Sequence, residues 1–492
     1  MHFPILTYMV FTPLVGMLAV MVLRKGADNA ARYTSLFFSL IPLLLSFILL
    51  AEFDGSTAKM QFVEYISWIP SLGIHYYLGA DGISVPMLFL TALLSFVSII
   101  ASFGIKIRVK EYFAFFLLLE FSMMGVFAAL DLFLFYVFWE IMLVPMYFLI
   151  GIWGGPRKEY AAIKFFLYTL LGSVLMLVGI IAVYFYTEPH TLDIMELIHR
   201  SSSYGHTFQL IIFAAFFFGF AVKVPVWPFH TWLPDAHVEA PTAVSVILAG
   251  VLLKMGIYGM LRVSYPMFPK AAIYYAIPIA LLGMIAIIYG AFVSMAQKDL
   301  KKLVAYSSVS HMGYCMLGLA ALTTASFSGV MFQMFSHGVL TGAMFLLVGV
   351  IYDRAHTREI AAFGGIGAKV PIYAGVFTLF GMGSLGLPGM SGFVSEFLTF
   401  VGSYNSPYIQ RWIVIVSILG VVLTAGYILR MIQKVFLGPF NTRWENLTEI
   451  NGREIFTVVP LGILTILIGV YPKVLSYFIS ASINNVIKII TG

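Results

Sequence analysis

Glu120, Glu140, Lys223, Lys254 and Glu396 lie inside long apolar runs, and so do His311 and His337. A charge at the centre of a bilayer costs about 2.5–3.5 kcal/mol on insertion scales, so intramembrane ionisable residues mark function by default. A row of such acids and bases with no redox motif beside it points to proton movement. Glu140 sits in L-F-L-F-Y-V-F-W-E-I-M-L-V-P, residues 132–145. It reads either as a proton carrier or as a protonated acid bonded to a carbonyl. Glu120, in the preceding run, reads as a second carrier or as support for the first. Lys223 directly precedes V-P-V-W-P. An unwound turn there presents free carbonyls that can solvate an ammonium. Lysine suits a switch, because a nearby carboxylate favours its charged form and burial disfavours it, whereas arginine keeps its proton throughout. A lysine that merely pins the break is the alternative. Lys254, at mid-depth, is placed as the next carrier and Glu396, beyond a glycine-rich break, as the terminal one. His311 and His337 are positioned to bridge them, since imidazole titrates near neutrality; a structural role is open for each. His230 and His237 flank W-L-P-D-A, but their spacing does not demand a haem.

The elements that hold these residues must be membrane helices. Of 492 residues, 61% are hydrophobic and 10% charged. A crossing needs about 20 apolar residues, which gives about fourteen runs. The first run lacks a basic segment before it, and Arg24 and Lys25 follow it; it reads as a retained span rather than a signal peptide. The single cysteine, Cys315, excludes an internal disulfide, a cysteine-held iron–sulfur cluster and a cysteine-based zinc site. The net charge of +6 is spread over loops, which excludes a nucleic-acid patch.

Comparing alternate loops gives nineteen Lys and Arg on one side against seven on the other, with Lys223 and Lys254 left inside. Positive residues favour the cytoplasm, so both termini are expected outside. Two spans are interrupted. Pro225 and Pro228 break span seven (208–232), and Gly381, Gly383, Gly386, Pro388, Gly389 and Gly392 break span twelve (371–402). Discontinuous helices in corresponding halves mark a transport pathway. Each is the fourth member of a five-span block, spans 4–8 and 9–13. The expected fold is therefore all-α integral membrane, with about 14 transmembrane helices, two inverted five-helix repeats, and spans 7 and 12 discontinuous. Its expected parts are residues 1–110 (three helices), 111–265 and 266–440 (the two repeats) and 441–492 (a last helix).

The segment K-V-P-V-W-P-F-H-T-W-L-P-D-A-H-V-E-A-P-T (223–242) continues into A-V-S-V-I-L-A-G-V-L-L-K-M-G-I-Y-G. With Q-K-D-L-K-K-L-V-A-Y-S-S-V-S-H-M-G (297–313) and S-H-G-V-L-T-G-A-M-F-L-L-V-G-V-I-Y-D-R (336–354), it resembles the subunit M (chain 4) family of complex I-type NADH:quinone oxidoreductase. Archaeal deazaflavin-dependent dehydrogenases carry a similar subunit. The resemblance covers nearly the whole chain. It implies that Glu140 and Lys223 are an acid–lysine pair, that Lys254 is a central lysine and that Glu396, where many subunit L relatives have lysine, is a terminal acid. It also implies no cofactor or metal in this chain, with iron–sulfur clusters, flavin and quinone in partner subunits. The implied partners are the lipid bilayer and antiporter-like membrane-arm neighbours on both sides; the implied place is the inner (plasma) membrane. The long lateral helix of subunit L is not expected. The alternative reading is a subunit of a multisubunit cation/proton antiporter or a membrane-bound hydrogenase, and a third is a scaffold without pumping.

Overall fold

The structure, a computed structural model, describes residues 3–492. Thirteen of its helices are long and apolar enough to cross a bilayer. Twelve of these, the buried helix Leu300–Ala321 and the broken pair Pro371–Ser384 and Ser391–Tyr404 make the fourteen crossings expected. The thirteenth, Lys473–Thr491, is of a different kind. Its buried Leu475, Ile479, Ile483, Val486 and Ile490 form one stripe. Its carbonyls at Tyr477 and Phe478 press on Gly55 and Gly82, and Ser482 Oγ accepts from Gly82 N at 3.0 Å. Those residues flank the connection between spans two and three, so the helix lies across that face. The run 456–479 is thus not one span, because Gly452–Val470 ends before Pro472, which cannot continue a helix.

The bundle is layered. Thr242–Met267 and Thr324–Ala355 are buried along their whole apolar windows, whereas Lys158–Tyr186 exposes Leu167, Leu171, Val174 and Val178. Lipid tails are as apolar as leucine, so close approach at small residues drives such packing. A Cβ at Gly338 would lie 2.9 Å from the Gly250 carbonyl. This contact seats the helix carrying Lys254 directly on the helix carrying His337. Gly172 and Gly219 make a similar approach beside Lys223, at 2.8 Å.

The breaks have local causes. Span five divides into Leu132–Ile141 and Leu143–Trp153 at Met142, which the apolar run 132–152 did not reveal. Pro145 has no N–H for the Ile141 carbonyl four residues before it. Span seven ends at Lys223 and resumes as the short helix Trp232–Glu239. Span eight contains π-helical turns, Leu248–Leu252 and Met260–Ser264, on either side of Leu253–Gly259. Span twelve opens at Gly386 and Gly389, whose φ of +81° and +89° suit glycine.

Residues 53–82, between the second and third apolar runs, contain a two-stranded antiparallel hairpin, Gln61–Ile69 with Ile74–Ala80. Glu64 on this hairpin accepts from Leu6 N at 2.9 Å and Thr7 N at 3.1 Å, capping the first helix. His75 N donates to Asp131 at 3.0 Å, which caps Leu132–Ile141 through Phe133 N and Leu134 N. The hairpin and the last helix therefore clasp the face that also bears both termini.

Candidate functional site

The breaks of spans five and seven face each other. Lys223, the last residue of its helix, is 1% exposed, and its Nζ donates to Met142 Sδ at 3.2 Å. The ammonium also lies 5.4 Å from the Trp139 ring centre and 5.5 Å from that of Phe165. Such cation–π contacts stabilise a desolvated cation by about 2 kcal/mol. The free carbonyls expected to solvate Lys223 are occupied: Val222 O accepts from Trp232 Nε1 at 2.9 Å and Ala221 O from Val226 N at 2.8 Å. Glu140 lies two residues before the break and is half-buried, and its Oε1 has no protein partner. Among the described residues no ion pair within 4.0 Å joins it to Lys223. The pair is two separated groups, each with unused hydrogen-bonding capacity.

The second half is continuous. Lys254 Nζ lies 2.6 Å from His337 Nδ1 and donates to Ala249 O at 2.5 Å. That carbonyl lies within a π turn. The His337 and His311 rings are 5.4 Å apart, and His311 Nε2 reaches Ser384 O at 3.1 Å, at the break of span twelve. His311, His337, Ser336, Gln333, Ser384 and Glu396 line one small cavity. The Glu396 carboxylate reaches Gly386, where a side chain on the glycine would obstruct it. Ser395 Oγ bonds Gln333, whose Nε2 donates to His311 O at 3.2 Å. Lys254 and Glu396, more than a hundred residues apart, are thus connected through both histidines. Each group can donate or accept a proton, so the chain has the chemistry of a relay.

Glu120 stands apart. It is fully buried, and Ser39 Oγ, from Asp28–Glu52, donates to it at 3.0 Å. That helix carries none of the other site residues.

Arg262 and Lys301 were not singled out from sequence, and His237 was weighed there only as a haem ligand. Arg262, counted there among loop residues, is 4% exposed and forms a two-pronged ion pair with Asp81, with Ser84 and Tyr258 beside it. The carboxylate that neutralises it comes from the turn after the hairpin. Lys301, also counted as a loop residue, is 5% exposed and donates to Ala240 O at 2.5 Å. His237 is fully buried and stacked on Phe345 at 4.6 Å, with neither ring nitrogen bonded to protein. Leaving buried polar groups unpaired costs about 1–3 kcal/mol each. The only advance signal was position: His237 and Lys301 both fall within the motifs 223–242 and 297–313. His230 turns instead to Tyr289, 3.3 Å away, so the two histidines do not face each other.

Residues 129–424 match the family described as "NADH:quinone oxidoreductase/Mrp antiporter, TM". The chain belongs to this family. It is 45% identical to NADH-quinone oxidoreductase subunit M of Rhodobacter capsulatus, over 98% of this chain and 96% of that protein. It is 41% identical to the subunit M of Rickettsia conorii, over 99% of each. Among solved structures, a chain of respiratory complex I from Thermus thermophilus with bound NADH superposes with a TM-score of 0.90 at 28% identity, over 99% of this chain and 100% of that one. A chain of the Mrp complex from Dietzia sp. superposes with a TM-score of 0.84 at 21% identity, over 99% and 100%, a likeness of fold.

Proposed function

We propose that this chain is a proton-translocating, antiporter-like membrane-arm subunit of a complex I-type NADH:quinone oxidoreductase, acting by a relay of Glu140, Lys223, Lys254, His337, His311 and Glu396. The observation that carries the relay is the lysine–imidazole contact of 2.6 Å opening onto the cavity that ends at Glu396. Family membership and the subunit M relatives support the place in the complex.

The chain works as a member of a larger assembly in the bacterial plasma membrane. Flavin, iron–sulfur clusters and quinone belong to other subunits, and redox energy reaches this chain through antiporter-like neighbours packed on its exposed apolar flanks. Approach of the Glu140 carboxylate favours the charged form of Lys223; its withdrawal favours release. The thioether and aromatic rings hold the ammonium without competing for its proton. The released proton drives a shift at Lys254, and His337 and His311 pass the change to Glu396. Both termini lie outside and the basic loops in the cytoplasm, following the distribution of Lys and Arg. Glu120 supports this half from the side, through span two.

The test is Glu140→Gln in the assembled complex, in vesicles. The amide keeps the shape and cannot ionise. Proton translocation should fall nearly to background while the complex stays assembled, and Glu140→Asp should keep more. Near-normal pumping by the amide would return Glu140 to a structural role.

A further inference from the structure

Arg262 lies on the same span as Lys254, nearer the face that bears the hairpin and both termini. Lys254 and Tyr258 are four residues apart within Leu253–Gly259, so they share one face of that helix, with Cβ atoms about 5–6 Å apart. Arg262 follows in the π turn Met260–Ser264, and its Nε donates to Tyr258 Oη at 3.3 Å. The guanidinium closes on Asp81 with both terminal nitrogens, Nη1 at 3.0 Å, and Nη2 also donates to Ser84 Oγ at 3.2 Å. Ser84 Oγ lies 2.9 Å from Tyr258 Oη, which donates to Phe127 O at 2.9 Å, near the end of span four. Asp81 Oδ1 accepts twice more, from Ile83 N at 3.0 Å and Ser84 N at 3.2 Å.

This cluster differs in kind from the relay. His311 Nδ1 and His337 Nε2 are buried without a protein partner, and each ring can both donate and accept. Every side-chain nitrogen and oxygen of Asp81, Ser84, Tyr258 and Arg262, by contrast, has a partner. Arginine stays charged at any accessible pH and has no acceptor, so it neither gives nor takes a proton. A fixed positive charge with no free acceptor beside it is a barrier to protons, the device by which water-conducting pores exclude them. The pair is also shut in from above. Gly82, next to Asp81, donates to Ser482 Oγ of the last helix at 3.0 Å, and a Cβ on Gly82 would strike Phe478 O. A buried ion pair seldom adds stability over apolar residues of similar volume, so stability alone does not account for this one.

We propose that the Arg262–Asp81 pair, with Tyr258 and Ser84, is an electrostatic seal on the outer side of Lys254. It bars protons outside the membrane from returning straight to that lysine, so a proton on Lys254 can advance only through His337 and His311 to Glu396. This rests on the proton-translocating reading above. The seal transfers no proton; it works by its fixed charge and by leaving no acceptor free. The last helix keeps it shut by pinning the turn that carries Asp81.

The experiment compares the whole complex in vesicles in four forms: wild type, Asp81→Asn with Arg262→Gln, Asp81→Leu with Arg262→Met, and Glu140→Gln. The Asn–Gln double variant removes both charges together, which avoids an orphaned buried ion, and leaves neutral groups that donate and accept. Its passive proton permeability, read as decay of an imposed pH gradient without substrate, should rise about tenfold. Protons moved per electron should fall while quinone reduction continues. The Leu–Met double variant offers no polar path and should stay as tight as wild type. A merely structural role would give the opposite order, because leucine and methionine depart further from the native hydrogen bonding. Wild-type permeability and proton yield in the assembled Asn–Gln variant would overturn the seal. So would an equal leak in both double variants, or proton and electron rates that fall together at wild-type permeability. Normal pumping by Glu140→Gln would overturn the relay instead, and the permeability measurement does not depend on it. If the Asn–Gln variant does not assemble, Arg262→Lys decides. Lysine keeps the ion pair but can release its proton, so the vesicles should leak; unchanged permeability would overturn the proposal.

Discussion

Lys223 meets a sulfur atom and two aromatic faces, and this environment makes its role testable. Sulfur is a weak acceptor, and the rings attract a cation without accepting its proton. Arginine would keep the positive charge there but cannot release a proton at accessible pH. If Lys223 only balanced the charge of Glu140, Lys223→Arg would be tolerated and Lys223→Ala would not. As a carrier, both should lose proton translocation, and coupled quinone reduction should slow with it. Proton and electron rates measured on equal amounts of assembled complex decide this; full pumping by the arginine variant would leave Lys223 an electrostatic partner. At this scale the sequence was readable where cost announces function. A lysine or glutamate in an apolar run is conspicuous by itself, and so the four residues proposed as principal carriers, Glu140, Lys223, Lys254 and Glu396, stood out. His237, Lys301 and Arg262 did not. A histidine near a proline, or a basic residue near a span end, looks the same whether it faces water or the interior. Only the packing of Ala240, Phe345 and Asp81 around them separates the cases.

At the scale of elements, interruptions place the chemistry and caps hold the interruptions still. Prolines 225 and 228 and the glycines of span twelve announced two breaks. The break at Met142 was hidden, because a single proline three residues downstream is common in membrane helices and kinks more often than it divides. The hairpin was hidden too. Tyr65, Ile66 and Trp68 point outward, so its strands lack the alternation that betrays a half-buried sheet. Asp131, in the connection between spans four and five, joins hairpin to helix. Burial pushes its carboxyl up to about 6, against the opposing pull of its backbone donors His75, Leu134 and Phe133. A carboxyl raised above its unfolded value binds more protons folded than unfolded. Its stabilising contribution is therefore full below the ordinary aspartate range and is lost as pH rises through about 6. Hydrogen exchange at Phe133 and Leu134, corrected for the intrinsic rate, should show protection falling between pH 5 and 7. Asp131→Asn keeps an acceptor and should flatten that dependence. Asp131→Ala loses the cap, with protection lower by about 1 kcal/mol at every pH. Equal pH dependence in wild type and Asp131→Asn would assign the effect to another group.

The molecule as a whole is asymmetric across the membrane. One face is clasped by the hairpin and the final helix, and carries the buried Arg262–Asp81 pair. The other carries most of the Lys and Arg and an open cavity lined in part by Glu239, Arg358 and Lys301. A directional pathway needs this difference, because protons must enter and leave through unlike surfaces. In the proposed topology, which follows the charge bias, the clasped face lies outside. Cysteines at Ser56 and Asn485, both exposed on that face, should react with an impermeant thiol reagent added to intact cells. A cysteine at Lys106, exposed in a basic loop, should react only after permeabilisation. The native Cys315 is buried and gives no background. The reversed pattern would invert the chain. Labelling of Ser56→Cys and Asn485→Cys from opposite sides would mean that Lys473–Thr491 crosses the membrane instead of lying along it.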